Sequence, residues 1–312
     1  MLNRKPVIQL PLYLSQPSTP SKFRRFVHSK SRFILLVGAV FVCFLFLGAL
    51  YLNMTKNELV CFHSAPLLAA EPLKHLSHLI IIAGHAVWLG GATNGESDTE
   101  WILESYQKGE GKVFAQHVRA GIELMQADEN SLLVFSGGQT RLHAGPLSES
   151  QSYYRLSMQI DSTHSPERRT TEEFARDSYE NVVFSIARFH EITSRYPEKI
   201  TIVSFEFKRE RFVSLHREAV RFPLENFQFI GINPDIVTEE TLKAEERNAL
   251  IPFSKDPYAC LDPVLRQKRI QRNPFRRQHS YLDTCPELRD LIEFCPTRFH
   301  QFFPGRLPWS HN

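Results

Sequence analysis

The sequence predicts an α/β fold: a Rossmann-like three-layer arrangement with a mainly parallel sheet, preceded by one transmembrane helix. Short apolar runs rich in β-branched residues alternate with helical patterns, which is typical of βαβ units. The runs are apolar at successive positions, and this indicates strands that are buried on both faces. An uncharged apolar run of twenty residues lies near the N-terminus and predicts the membrane helix.

The strands and helices of the predicted domain alternate along residues 76–251. The predicted strands are His78–Ala83, Ser131–Phe135, Lys199–Phe205 and Phe227–Ile232. The predicted helices, in which apolar residues recur at helical spacing, are Gly111–Ala127, Ser148–Met158, Thr171–Arg195 and Arg209–Phe222. Ser148 and Glu149 supply a hydroxyl cap and a negative charge to the start of the second helix.

The apolar run Phe33–Leu52 is predicted to be an uncleaved signal-anchor that spans a membrane. A helix of this length extends about 30 Å, the thickness of the hydrocarbon core of a bilayer. The alternatives are a buried core helix and a cleaved signal peptide. The run has no polar face and is longer than the apolar part of a signal peptide, so the anchor is favoured.

The charges that flank this run predict its orientation. Five cations precede it closely: Lys22, Arg24, Arg25, Lys30 and Arg32. Only Lys56 follows closely, so the positive-inside rule places the N-terminus in the cytosol and the globular part in the lumen of the secretory pathway, in the Golgi or the endoplasmic reticulum. Residues 1–32 are predicted to be a disordered basic tail and residues 53–75 a linker.

The net charge of the chain, +3 from 37 basic and 34 acidic residues, is unevenly distributed. Residues 1–52 carry a net charge of +7, residues 53–254 carry −8 and residues 255–312 carry +4. An acidic body argues against a general nucleic-acid-binding protein, so no nucleic-acid partner is expected. The oligomeric state stays open.

Residues 252–312 are predicted to be an irregular basic extension that wraps the domain. The cations of this segment form a cluster: Arg266, Lys268, Arg269, Arg272, Arg276 and Arg277. They could pack against the acidic body or bind phosphate, and solvation is the default expectation.

The cysteines are compatible with an oxidising compartment. Cys43 lies in the apolar run, and four cysteines follow it: Cys61, Cys260, Cys285 and Cys295. Four cysteines allow three pairings, among which the sequence does not choose. Their spacing fits no zinc template, so no metal site is predicted.

Candidate binding residues follow the predicted strands, because parallel sheets bind ligands beyond the carboxyl ends of their strands. The segments concerned are Gly84-His85, Ser136–Arg141, Ser204–Arg211 and Gly231–Pro234. In the second segment, paired glycines would let backbone N–H groups approach an anion, and Arg141 would add a charged fork.

The motifs of residues 76–235 resemble the bacterial domain-of-unknown-function family of YdcF, SanA and ElyC. The matching residues, in chain order, are Ser136-Gly137-Gly138, Ser148-Glu149, Glu172, Ser178 in a Thr position, Glu180-Asn181, Ser204 and Arg211. Three features depart from the family pattern. Lys208 replaces a His, His117 stands where the family has Arg, and Ala92–Gly111 is an apparent insertion. The insertion and the C-terminal extension favour a eukaryotic, fungal-type branch.

The resemblance implies a domain that binds an anionic small molecule, nucleotide-like or a phosphorylated sugar or lipid, in glycan or envelope-type metabolism. The expected ligand-binding residues are Gly84, Ser136, Gly137, Gly138, Arg141, Glu172, Ser178, Asn181, Ser204 and Arg211. The candidate catalytic residues are Glu149, Glu180 and Lys208. S-adenosylmethionine and Mg²⁺ are the cofactors that the resemblance allows, and the carboxylates could also act as general acid or base. Whether the protein is an enzyme stays open, and the alternative is a non-catalytic scaffold with a decayed site.

Overall fold

The computed structural model describes residues 42–45, 47–48 and 73–310. Contacts divide the chain into two compact units, residues 1–65 and residues 66–312. The predicted tail, anchor and linker lie outside the described residues except at positions 42–45, 47–48 and 73–75. The six positions in the predicted anchor are helical. Within the described part of the chain, no helix combines the length and apolar character that crossing a membrane requires.

A five-stranded parallel sheet forms the centre of the second unit. Its strands are β1 (His78–Ala83), β2 (Ser131–Ser136), β3 (Arg169–Glu172), β4 (Lys199–Ser204) and β5 (Phe227–Gly231). The order across the sheet is β3-β2-β1-β4-β5, and every neighbouring pair is parallel. The register places Ile80 opposite Leu133 on one side and Thr201 on the other. The α/β fold and the four predicted strands are therefore confirmed.

Helices cover both faces of the sheet because the β1 side chains alternate between two apolar clusters. The helices are α1 (Gly111–Ala127), α2 (Glu149–Ile160), α3 (Ser178–Thr193) and α4 (residues 209–219). Ile80 and Ile82 pack with side chains of α1 and α2, whereas Leu79 and Ile81 pack with those of α3 and α4. A short antiparallel hairpin pairs Val87–Trp88, which precedes the predicted insertion, with Trp101–Ile102, which lies within it.

One predicted helix begins in the wrong place. The prediction started it at Thr171, but residues 169–172 form β3 and α3 begins at Ser178. The β3 strand lies at the sheet edge and contains two β-branched threonines but no apolar run, so its hydrophobic pattern does not reveal it. The Asp177 side chain caps α3 by accepting from the Glu180 N–H at 2.9 Å, which defines the true start.

The C-terminal segment is more regular than predicted. It contains the end of α5 (residues 239–255), and all of α6 (Pro263–Gln271), α7 (Tyr281–Thr284) and α8 (Arg289–Ile292). The Asp262 side chain caps α6 by accepting from the Val264 N–H at 2.9 Å. The prediction missed this helix because only one side chain within it, Leu265, is buried, so apolar periodicity is weak.

One disulfide is present in the described part of the chain. It joins Cys260 to Cys295 with a Cα–Cα distance of 5.6 Å. Cys285 is a buried free thiol that contacts the Ala187 carbonyl oxygen at 3.3 Å. Cys61 lies outside the described residues. Of the three possible pairings, the structure therefore fits the one that joins Cys260 to Cys295, and within the described residues Cys285 has no disulfide partner.

Candidate functional site

A cavity of about 600 Å³ lies at the carboxyl ends of the parallel strands. Gly84 and His85 follow β1, Arg141 follows β2, and Lys208 follows β4, and all four line the cavity. The strand order reverses between β1 and β4, which is where open α/β sheets bind ligands. The volume is within the range of small-molecule sites.

Seven of the sequence-predicted residues line this cavity. They are Gly84, Arg141, Glu149, Ser178, Asn181, Lys208 and Arg211. The remaining six do not line it: Ser136, Gly137, Gly138, Glu172, Glu180 and Ser204. The first group comes from the segments that follow β1, β2 and β4 and from the starts of α2, α3 and α4, so the topology brings together residues that are far apart in sequence.

Lys208 is held in the cavity by His85. Its Nζ lies 3.3 Å from His85 Nδ1, and His85 Nε2 lies 3.2 Å from the Ser204 hydroxyl. Because an amine on lysine donates, Nδ1 accepts and Nε2 carries the proton that it donates to Ser204. His85 also stacks on Phe205 with ring centroids 4.8 Å apart. Ser204 thus orients the imidazole and does not reach the cavity.

The charge state of this pair follows from its surroundings. Burial, followed by the charge of Arg211, lowers the pKa of Lys208 to about 7. Burial, followed by the charge of Lys208, lowers the pKa of His85 well below its usual value, so His85 is neutral. Lys208 is therefore a group that can gain or lose a proton near neutral pH, as a general acid or base must.

Arg211 and His216 lie at opposite ends of a π-helical stretch in α4, Arg211–His216. Such wide turns are frequent at functional sites. Arg211 Nε lies 3.2 Å from Glu245 Oε1. His216 Nε2 lies 2.7 Å from the Ser178 hydroxyl, and its Nδ1 is buried without a partner. An unpaired lone pair is less costly than an unpaired N–H, so Nε2 is the protonated nitrogen and the Ser178 hydroxyl hydrogen can be donated to a ligand.

Glu149 lies at the N-terminus of α2 and occupies space that two glycines leave. A Cβ added at Gly84 would lie 2.8 Å from Glu149 Oε2, and one at Gly137 would lie 2.7 Å from the same atom. Glu149 accepts from the Thr140 hydroxyl. The glycines therefore allow a close approach between β1, β2 and α2.

The paired glycines do not form the predicted anion cradle. The Gly137 N–H donates to the Glu172 carbonyl at 3.0 Å, and the Gly138 N–H donates to the Ala175 carbonyl at 2.8 Å. These bonds hold the loop between β3 and α3, so neither N–H is free for a ligand. Arg141 is likewise engaged, because it donates to Glu104 and, at 3.0 Å, to the His85 carbonyl.

Glu172 is a buried structural carboxylate behind the cavity wall. It accepts from the Ser136 hydroxyl at 2.7 Å and from the Phe174 N–H at 2.7 Å. The Ser136 hydroxyl is also 3.0 Å from Asn181 Oδ1. Burial raises the pKa of Glu172 to about 7, against the lowering effect of these hydrogen bonds. Ser136 and Glu172 therefore position Asn181 at the cavity.

Glu180 is paired with two arginines and is turned away from the cavity. It accepts from Arg176 at 2.5 Å and lies 3.3 Å from Arg269 Nε. A carboxylate neutralised in this way serves structure, so its geometry does not fit the catalytic role that the sequence predicted.

The structure adds cavity residues that the sequence analysis did not name as a site: His85, Glu110, Arg176, Glu245, Lys268 and Arg272. His85 had been noted only as part of a strand end. Lys268 and Arg272 belong to the C-terminal basic cluster, for which solvation was the default. That default is wrong for Lys268, which is half-buried, and for Arg269, which pairs with Asp177 at 2.5 Å, whereas Arg272 lines the cavity but is exposed. No pattern within the cluster distinguishes them from the exposed Arg266 and Arg276.

Among the described residues, no group of three or more His, Cys, Asp or Glu side chains could hold a metal ion. The cavity lining carries both signs of charge, because Glu110, Glu149 and Glu245 lie among its cations.

No protein-family model matches the chain. No solved structure matches it either. The chain is similar to the uncharacterized protein YOR238W of Saccharomyces cerevisiae, with 31% identity over 294 residues. The match covers 74% of this chain and 97% of the yeast protein. At this identity and coverage, the chain belongs to the same family as the yeast protein YOR238W.

Proposed function

We propose that the α/β domain binds an anionic small molecule, a nucleotide-like compound or a phosphorylated sugar or lipid, in the cavity at the strand ends. The observation that carries this proposal is Lys208. It lines the cavity together with Arg211. Among the described residues, no carboxylate oxygen lies within 4.0 Å of Lys208 Nζ, the distance that defines an ion pair. A half-buried cation without a counter-ion is costly, and an anionic ligand would supply the missing charge.

The fold and the sequence resemblance support the same proposal. The strand order β3-β2-β1-β4-β5 is that of a Rossmann-like three-layer domain, in which ligands lie at the reversal between β1 and β4. A YdcF-like ancestry would place Lys208 and Arg211 at the ligand. A role in glycan or envelope-type metabolism, in which substrates are phosphorylated, is compatible with both points.

The membrane anchor and the lumenal location belong to this proposal. The uncharged run at residues 33–52 and the basic residues before it support a single span with the N-terminus in the cytosol. The disulfide between Cys260 and Cys295 supports an oxidising compartment for the domain. The Golgi and the endoplasmic reticulum satisfy both conditions.

The competing candidate is a scaffold whose site has decayed. In a decayed site, residues inherited for binding would drift apart. Glu149, Asn181, Lys208 and Arg211 instead line one cavity, and this favours a working site.

Thermal unfolding of the detergent-solubilised full chain tests the proposal. Ligands that bind only the native state raise its melting temperature. We expect stabilisation by a nucleoside diphosphate, a sugar phosphate or inorganic diphosphate, but not by a neutral sugar. The stabilisation should disappear in a Lys208→Met/Arg211→Met variant that unfolds cooperatively. A chain that no phosphate compound stabilises would favour the scaffold.

A further inference from the structure

We infer that the C-terminal helix α6 supplies half of the ligand site and that the ligand presents a doubly charged phosphate group, which Lys268 and Arg272 bind together with Lys208 and Arg211. This inference rests on the proposed function and names the class of anion. It also gives the C-terminal segment, which lies outside the YdcF-like region, a part in binding.

One face of α6 lines the cavity. Leu265, Lys268 and Arg272 all line it, and their spacing of three and four residues places them on the same side of a helix. Arg266, one residue after Leu265, and Arg276, beyond the helix, do not line the cavity. Both are exposed, as Arg272 also is. The cations of the basic cluster therefore differ in whether they reach the cavity.

The position of α6 is set by contacts that do not involve a ligand. Arg269 Nε lies 2.5 Å from Asp177 Oδ2, and Arg269 Nη1 donates to the Tyr258 carbonyl at 2.7 Å. Arg272 Nη1 donates to the Arg176 carbonyl at 3.1 Å. Helix α6 is thus attached to the start of α3, and its cations are aimed at the cavity before any ligand binds. Such preorganisation reduces the entropic cost of binding.

Charge is unbalanced where α4 and α6 face each other. Of the four cations, only Arg211 has a carboxylate partner within ion-pair distance among the described residues, and that partner is Glu245. Lys268 donates to the Asn248 carbonyl oxygen, which is neutral. Burial, followed by the charges of Arg272 and Arg211, lowers the pKa of Lys268 to about 8. The cations therefore repel one another across the cavity.

Three cations without a carboxylate partner among the described residues, together with the mixture of donors, favour a phosphate dianion. A phosphate group carries nearly two charges at neutral pH and three acceptor oxygens. Arginine forks match phosphate geometry, and lysines act as point charges beside them. A carboxylate would neutralise only one of the cations. The same dianion could come from a soluble phosphate ester or from the headgroup of a membrane lipid.

Titration calorimetry of the detergent-solubilised full chain with inorganic diphosphate tests this inference. We expect Lys268→Ala/Arg272→Ala to weaken binding about 100-fold, because each lost charge-assisted contact is worth about tenfold. The matched control, Arg266→Ala/Arg276→Ala, removes the same charge from the same segment and should bind like the wild type. Equal affinity of the two double variants would overturn the inference.

The failure of the inference and that of the proposed function are distinguishable. Loss of binding in Lys208→Ala/Arg211→Ala, with no loss in Lys268→Ala/Arg272→Ala, would exclude α6 and leave the proposed function intact. Absence of diphosphate binding by the wild type would remove both.

Hydrogen exchange on the wild type gives a measurement that does not depend on how a variant folds. Diphosphate should slow amide exchange in residues 263–272, because a bound anion cross-links α6 to α4. Unchanged exchange at saturating diphosphate would contradict the inference.

Competition distinguishes the two sources of the phosphate. Vesicles of phosphatidylcholine with a phosphomonoester lipid are compared with a soluble sugar phosphate as competitors of diphosphate. Displacement by either one supports the phosphate class, and the effective competitor identifies the source. If neither displaces diphosphate, the assignment of a phosphomonoester ligand is wrong.

Discussion

Lys208 lies 3.3 Å from His85 Nδ1 and lines the same cavity as Arg211, and this position makes ligand binding depend on pH. The pKa of Lys208 in the free protein is about 7. Only the protonated amine attracts an anion, and a bound anion raises that pKa. Affinity is therefore greatest below pH 7 and falls as the pH rises through 7, by up to tenfold per pH unit.

Inorganic sulfate is the probe for this dependence because it remains a dianion throughout. We expect sulfate to bind the full chain about tenfold more weakly at pH 8.5 than at pH 6.5. The Lys208→Met variant should bind more weakly at pH 6.5. It should lose the part of the pH dependence that is centred near pH 7 and keep the part that Lys268, whose pKa is about 8, contributes. A wild-type affinity that stays constant from pH 6.5 to 8.5 would show that Lys208 does not contact the anion.

The pKa of Glu172 is raised, not lowered, and it predicts that the stability of the fold depends on pH. Its folded pKa is about 7, above the ordinary value of 4.5. A raised pKa contributes stability that is fully present below pH 4.5 and is lost as the pH rises through 7. The loss is on the order of 3 kcal/mol.

Urea unfolding of Glu172→Gln at pH 5 and pH 8 measures this contribution. Glutamine keeps the shape but does not ionise, so we expect the free energy of unfolding to fall less between these pH values in the variant than in the wild type. Parallel pH profiles of the two proteins would mean that Glu172 does not hold a proton in the folded state.

At the scale of elements, Arg269 joins α6 to α3. It pairs with Asp177, whose other oxygen caps α3, and it lies 3.3 Å from Glu180. Asp177 and Glu180 are both buried. Removing the guanidinium of Arg269 would leave these two buried carboxylates with less positive charge nearby. Substitutions of this kind are among those that lower the free energy of unfolding most.

We expect Arg269→Met to lower the free energy of unfolding by about 3 kcal/mol. Arg266→Met, an exposed position on the same helix, should change it by less than about 0.5 kcal/mol. Chemical denaturation of the two variants side by side makes the comparison. Similar midpoints would show that the ion pair does not attach α6 to the body.

The elements differ in how well sequence predicts them, and the reason is burial. Strands β1, β2 and β4 are apolar along nearly their whole length, and α1 has a clear apolar stripe, so pattern alone locates them. Strand β3 and helix α6 bury few side chains of their own and are held by polar contacts of Arg169 and Arg269. Polar contacts between residues distant in sequence leave no periodic signal.

The same limit applies to the site. The rule that ligands bind beyond the carboxyl ends of parallel strands led to Lys208 and Arg211, because those ends all lie at the same edge of the sheet. It did not show that the N–H groups of Gly137 and Gly138 donate to the loop after β3. Nor did it show that Lys268 and Arg272, on a helix about sixty residues further along the chain, line the same cavity. Those facts depend on how loops and C-terminal helices pack.

At the scale of the whole molecule, the net charge of +3 conceals three regions with different roles. The basic N-terminal region accounts for the predicted orientation in the membrane, and the acidic body carries the fold. The basic C-terminal segment places part of its charge in the cavity, pairs part of it with carboxylates of the body and exposes the rest. A basic character measured over the whole chain therefore indicates neither nucleic-acid binding nor a uniformly basic surface.

The proposed orientation makes a prediction about protease access. In intact microsomes, we expect added protease to leave the domain of residues 73–310 uncut and to remove at most the N-terminal tail. Detergent should then expose the domain. Cleavage of the domain in sealed vesicles would place it in the cytosol and would contradict both the lumenal location and the argument from the disulfide.

Covalent labelling of Lys208 tests the central claim, that this cavity binds an anion at Lys208, most directly. With the full chain at pH 7.5, we expect an amine-reactive reagent to modify Lys208 in the free protein, because a large share of this amine is unprotonated at that pH. Saturating inorganic diphosphate should slow this modification at least tenfold and leave the exposed Lys255 unaffected. A Lys208 that is modified at the same rate with and without diphosphate would contradict the claim.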